Sequence, residues 1–175
     1  MTQLIVNATS KTKTRLPLPA GFVFVRGIGL VEVLLSVTII SVILVMATRY
    51  FYTALNTQRV NHTVSEVASL VSALQAWDRG NSDFSGLGSE GILNLYNAGF
   101  ISKTNDLVTT ADGNGTVNAA TLYNAWSLPI TVSGQVGSAT ISTSFAKATQ
   151  CSAVASNFAG ATCSETYQFS YVLSE

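Results

Sequence analysis

Glu32 is the side chain whose setting constrains this chain most. From Ile28 to Ala47 the sequence reads IGLVEVLLSVTIISVILVMA, twenty residues with that single charge. A charge at the centre of a membrane span costs about 2.5–3.5 kcal/mol on insertion scales, so a carboxylate inside such a run needs a partner or a function. Glu32 stands near the start of the run, where the cost is smaller, and an interfacial charge at the headgroup level is the plain alternative. Cys151 and Cys163 supply a second piece of chemistry, with eleven residues between them. The spacing is not C-x-x-C and no histidine lies near, which makes a redox or tetrahedral metal site a poor fit. Beyond a membrane anchor, in an oxidising space, a disulfide is the expected state. Closing a loop of this size stabilises by roughly 3 kcal/mol in the chain-entropy model.

The remaining reactive residues offer less. Asp112-Gly113-Asn114-Gly115-Thr116 resembles the start of a calcium loop, but an EF-hand needs glycine sixth and glutamate twelfth. Counted from Asp112 these positions hold Val117 and Tyr123, so a glycine-rich turn is the better reading. His62 is the single histidine and falls on a polar helix face, solvated or at a subunit interface, with no acid or nucleophile to place beside it. Trp77 and Trp126 read as core anchors. With no carboxylate pair, triad or metal cluster evident, neither an enzyme nor a cofactor is expected.

What precedes the apolar run bears on what Glu32 does. Lys11, Lys13, Arg15 and Arg26 all come before it, and no acidic residue does. That fits a cytoplasmic leader under the positive-inside rule. A secretory signal would be cut after its apolar stretch at a small-x-small site. Val45-Met46-Ala47 offers such a site, but Arg49 and the continuing helical pattern argue against it, and an uncleaved signal anchor is the other alternative.

Arg26-Gly27-Ile28-Gly29-Leu30-Val31-Glu32 resembles the class III signal of type IV prepilins and pseudopilins: a basic leader, a glycine, an apolar residue, and glutamate fifth after the glycine. Ile28-Gly29 stands where Phe-Thr is commonest. The resemblance covers roughly residues 11–50 by motif and the rest by organisation. It implies cleavage between Gly27 and Ile28 by a prepilin peptidase, N-methylation of Ile28, and subunit assembly through Glu32 and the Ile28 amine. Asn124-Ala125-Trp126 before an apolar strand resembles the asparagine-aromatic segment of PilS-type pilins in the IVb branch, whereas a short C-terminal cysteine loop is more typical of IVa.

The elements that would position these residues can be sketched. Helical pattern runs without proline or glycine to Arg79, and Gly80-Asn81 supplies a stop. Val60, Val64, Val67, Val71 and Leu74 form one apolar stripe, with Gln58, His62, Glu66, Ser69 and Ser72 on the polar side. The expected organisation is a leader at 1–27, a long helix at 28–79 with a membrane span at 28–47, and a globular head at 80–175. In the head, Glu90–Ala98 reads as a short helix closed by Gly99, and 104–119 as loop. Ser127–Val132, Ala139–Phe145 and Tyr167–Leu173 read as strands. Pro129 places the first at an edge or a bulge, and Val136-Gly137-Ser138 is a hairpin turn between the first two. Lys147–Phe158 reads as a helix that the disulfide pins to the chain entering the last strand. The fold class expected is α+β, a long helix packed on a small antiparallel sheet, and the resemblance to pilins implies the same organisation.

The chain has nine basic and nine acidic side chains. After residue 27 five basic and nine acidic ones remain, a net charge of −4. Mildly acidic and without a basic patch, it gives no case for nucleic-acid binding. The resemblance implies a structural subunit of a type IV pilus, for adhesion, DNA transfer or motility. Its partners would be copies of itself, the peptidase, an inner-membrane assembly platform and, before assembly, the membrane. It would start in the bacterial inner membrane and end in a surface filament. A pseudopilin or minor pilin of a secretion or pilus machine is the nearest alternative. A membrane-anchored extracytoplasmic binding module is the alternative of a different class.

Overall fold

The computed structural model describes residues 29–104 and 106–174. The expected cleavage and methylation positions, Gly27 and Ile28, lie outside the described residues. A run free of proline that keeps good helix formers between apolar residues favours one helix. The helix α1 spans Leu30–Asn81, 52 residues. It opens on the Gly29 carbonyl, which accepts from the Glu32 and Val33 amides at 2.8 and 3.2 Å. It passes through Gly80 and stops where Ser82 turns to φ 61°. Glycine alone is a weak stop when the amide after it still finds an acceptor. Here Ser82 N–H reaches Asp78 O at 2.9 Å, and Asn81 Nδ2 donates to Trp77 O at 3.1 Å.

The chain divides into two units within α1, after Leu44. Described alone, the first part of α1 is apolar and exposed on every side, and it is long and apolar enough to cross a membrane. Its hydroxyls turn inward on the backbone: Ser36 Oγ, Thr38 Oγ1 and Ser41 Oγ donate to Val33 O, Leu35 O and Thr38 O at 2.9, 2.7 and 2.8 Å. Hydroxyls bonded in this way carry little polar demand into an apolar medium.

The second unit is α+β. A 3-10 turn (Ser85–Leu87) and α2 (Gly91–Asn97) follow α1. Then come β1 (Leu107–Ala111), β2 (Val117–Tyr123), β3 (Pro129–Gln135), β4 (Ser138–Ser144), α3 (Ala148–Ala155), β5 (Thr162–Cys163) and β6 (Gln168–Ser174). The six strands form one antiparallel sheet in the order β1-β2-β3-β4-β6-β5. The three expected strands are β3, β4 and β6. The hairpin turn at Val136-Gly137 is present, with Gly137 at φ 73°.

Three expectations change. The 104–119 stretch is no simple loop: β1 and the start of β2 lie in it, joined by a turn in which Asp112 Oδ1 accepts from the Asn114 and Thr116 amides at 3.0 and 2.8 Å. That carboxylate is spent on backbone donors, as a glycine-rich turn requires. Pro129 is at the first position of an internal strand, where its missing N–H breaks no ladder. The strand pairs with β2 only through Ile130 and Pro129; where the two strands part, α2 packs against both and the 3-10 turn against β3. The buried stripe of α1 is also shifted, to Val60, Thr63, Val67, Leu70, Ala73 and Leu74, with Val64 and Val71 at its margin.

That stripe meets Leu122, Ile130, Val132, Ile141 and Phe169 of the sheet in one core, and Trp77 and Trp126 pack against it. Trp126 stands edge-on to Phe145 at 5.3 Å, and Trp77 edge-on to Phe100 at 5.8 Å. Asn124 ties the turn after β2 into this core. Only 2% exposed, it donates from Nδ2 to Thr143 Oγ1 and Ser144 O at 2.9 and 3.2 Å. Its Oδ1 accepts from the Trp126 and Leu128 amides at 2.9 and 3.1 Å. The neighbouring Ala125 amide donates to Thr63 Oγ1 of α1 at 3.2 Å. Every polar atom of the Asn124 side chain is used, so truncation leaves two buried or part-buried donors and two acceptors without this partner, each worth about 1–3 kcal/mol when left unsatisfied. Asn124→Ala is expected to lower stability by roughly 3 kcal/mol or more, read from urea unfolding of the detergent-solubilised chain by tryptophan fluorescence.

Candidate functional site

Two places hold side chains whose chemistry the packing leaves open. The first is the start of α1. Glu32 is exposed in the first helical turn, where unpaired amides favour a negative charge. Around it Leu30, Val31 and Leu34 are 75, 77 and 56% exposed, and the apolar surface continues to Tyr52. Among the described residues nothing covers this surface, and nothing but Glu32 breaks its neutrality before Arg49.

The second lies on the polar side of α1, in the other unit. Spacing of four residues puts His62 and Glu66 on one face of the helix. The segment leading to β1 brings Asp106 over that face. His62 Nδ1 is 3.6 Å from Glu66 Oε1, and His62 Nε2 is 3.6 Å from Asp106 Oδ2. These three residues, with Ser65, Ser69 and Thr104, line a cavity of about 300 Å³ whose far wall is Ile101, Leu107 and Leu122. The expectation that no acid stands beside His62 is therefore corrected. Periodicity placed Glu66 on the solvent side because α1 viewed alone has water there; with Ile101, Asp106 and Leu107 beside that face, its side chain is left only 12% exposed.

Glu66 bears the consequence. Its side chain is 12% exposed, and its two carboxylate oxygens are buried with no hydrogen-bond partner. Burial, and next the negative charge of Asp106, raise its pKa from 4.5 to about 8. When protonated it can share that proton with Asp106, which favours the neutral form further.

The C-terminal pair is bonded. Cys151, buried on α3, joins Cys163 on β5. The bridge pins α3, which ends at Ala155 and is shorter than expected, to the short strand beside β6.

Compared with known proteins, the chain matches no protein-family profile, and no curated protein or solved structure is significantly similar to it.

The carboxyl of Glu66 gives a pH dependence whose sign is fixed. Unfolded, it ionises near 4.5; folded, it keeps its proton up to about 8. Between those values the folded state holds a proton that the unfolded chain has released, so stability falls as pH rises and the loss is complete above about 8. In metal-free buffer the head is expected to melt at least about 4 °C lower at pH 8.5 than near pH 5 because of this group. Glu66→Gln, neutral at every pH, should remove most of that difference. An unchanged pH profile in the variant would show that Glu66 ionises freely.

Proposed function

We propose that the protein is a type IV pilin, a structural subunit that polymerises through its apolar N-terminal helix into a surface filament. The observation that carries this reading is Glu32 in the first turn of a helix whose apolar surface has no cover of its own. Such surface gains about 25 cal/mol for each Å² removed from water, so lipid or other helices must meet it. Lipid serves a single anchored chain. The carboxylate adds a reason for other helices.

In this reading cleavage after Gly27 gives Ile28 a free α-amine, and N-methylation leaves its charge in place. The amine of one subunit then faces Glu32 of its neighbour in a core of packed helices. At 4 Å and an effective dielectric near 20 the attraction is about 4 kcal/mol before desolvation, which offsets much of it. The pair therefore acts mainly on register, since any other axial offset leaves a bare charge among apolar side chains. Ser36, Ser41 and Ala47 allow close helix approach, and the serine hydroxyls are already bonded within their own helix. Head-to-tail contacts that do not close give a fibre. The chain would reside in the bacterial inner membrane until the assembly platform extracts it. A pseudopilin or minor pilin would use the same residues in the same way and differ in abundance.

Two experiments test the reading. The intact mass of material sheared from cells is expected to correspond to a chain starting at Ile28 with one added methyl, gaining two hydrogens on reduction. High abundance in that fraction marks a major subunit, and low abundance a minor one. A full-length chain found only in membranes would overturn the reading in favour of an anchored binding module. Glu32→Ala is expected to abolish the sheared filament while the processed chain still accumulates in the membrane. Normal filaments from this variant would remove Glu32 from assembly.

A further inference from the structure

We propose that His62, Glu66 and Asp106 form a binding site for a first-row divalent transition metal, with Zn²⁺ as the probe. The site is independent of the assembly reading, because none of these residues belongs to the apolar run.

The geometry carries the inference. One donor atom from each residue can be chosen so that all three lie within 4.8 Å of one another. The two imidazole–carboxylate separations of 3.6 Å are too long for hydrogen bonds. They are close to the roughly 3.4 Å between ligands of a tetrahedral ion with bonds of about 2.1 Å. His62 is half exposed and free to turn one nitrogen toward both acids; Glu66 is held on α1, and the Asp106 backbone is tied to β2 through its carbonyl, which accepts from the Tyr123 amide at 3.0 Å.

A second, independent observation points to a cation. Glu66 lines the cavity, and both of its oxygens are buried without a hydrogen-bond partner. A buried carboxylate without donors is costly unless it is neutralised or meets a positive charge. No lysine or arginine is among the described residues that line this cavity. The hydroxyl-bearing lining at Ser65, Ser69 and Thr104 leaves room for water in the remaining coordination position. Asp112 provides the contrast: its carboxylate accepts two backbone amides, so its turn is complete without an ion.

The donor set selects the metal. Imidazole with two carboxylates suits zinc and its neighbours, whereas calcium takes six to eight oxygens and magnesium retains most of its water. A bound ion would cross-link α1 to the segment entering β1, holding the edge of the sheet to the helix. Binding should therefore stabilise the fold.

The test uses the full chain in detergent, stripped of metal with a chelator and titrated with ZnCl₂ by calorimetry, with thermal melting followed by tryptophan fluorescence. The expected result is saturable binding of one ion per chain and a higher melting temperature. Glu66→Gln and Asp106→Asn should each weaken binding on the order of tenfold or more while the zinc-free proteins still melt cooperatively. His62→Gln, at a half-exposed position, should do the same without loss of fold. Absence of saturable binding would overturn the proposal. So would equal affinity in all three variants, which would place the ion elsewhere, or a preference for calcium over zinc.

Discussion

Burial of one stripe of α1 is the constraint on which the head depends. Val67, Leu70 and Leu74 are fully enclosed against a sheet that would otherwise expose its inner face, formed by Ile130, Val132, Ile141 and Phe169. Neither layer can be stable alone. A sheet of mostly Ser, Thr and Ala strands has few large side chains to bury, and an isolated helix gains little from its propensity in water. The two complete each other. Close approach then demands small residues: a Cβ on Gly134 would collide with Phe84 O, and one on Gly91 would stand 2.5 Å from Val132 O.

Polar groups caught at that interface are handled in two ways. Asn124 shows satisfaction, with its amide shared among β4 and its own turn, and Thr63 of α1 accepting from the next residue. Glu66 shows the opposite, a carboxyl enclosed without donors beside His62 and Asp106. Since most buried polar groups in folded proteins have partners, an orphan of this kind calls for a proton, a water or a cation to complete it. The disulfide serves a separate purpose, fixing α3 and β5 at the far edge of the sheet, where β5 has only two residues to pair.

The first part of α1 follows other rules. Its side chains are apolar on all faces, its hydroxyls are bonded internally, and its one charge is at the start. A helix of this kind is satisfied in its backbone and unsatisfied in its surface, so it needs a nonaqueous neighbour. Lipid meets that need without specificity. A second helix carrying a complementary charge meets it at one register, which is what the proposed assembly relies on.

Much of this was legible in the residues themselves. Hydrophobic run length determined α1 and its membrane-length segment, cysteine spacing and context determined the bridge, and alternation with turn signals determined β3, β4 and β6. These signals are local: a few neighbouring side chains carry each of them. What remained hidden depended on partners distant in sequence. β1 is an edge strand with a burial pattern that is mostly exposed, so it carries no apolar alternation to read. The buried stripe shifted by a fraction of a turn because Thr63 meets Ala125 and Leu70 meets the core, choices that the helix alone does not make. Glu66 looked solvated until the approach of Asp106 and Leu107 covered it. Periodicity says which face of a helix is greasy; only the tertiary structure decides which of its polar residues still meets water, because that depends on where the rest of the chain comes to lie.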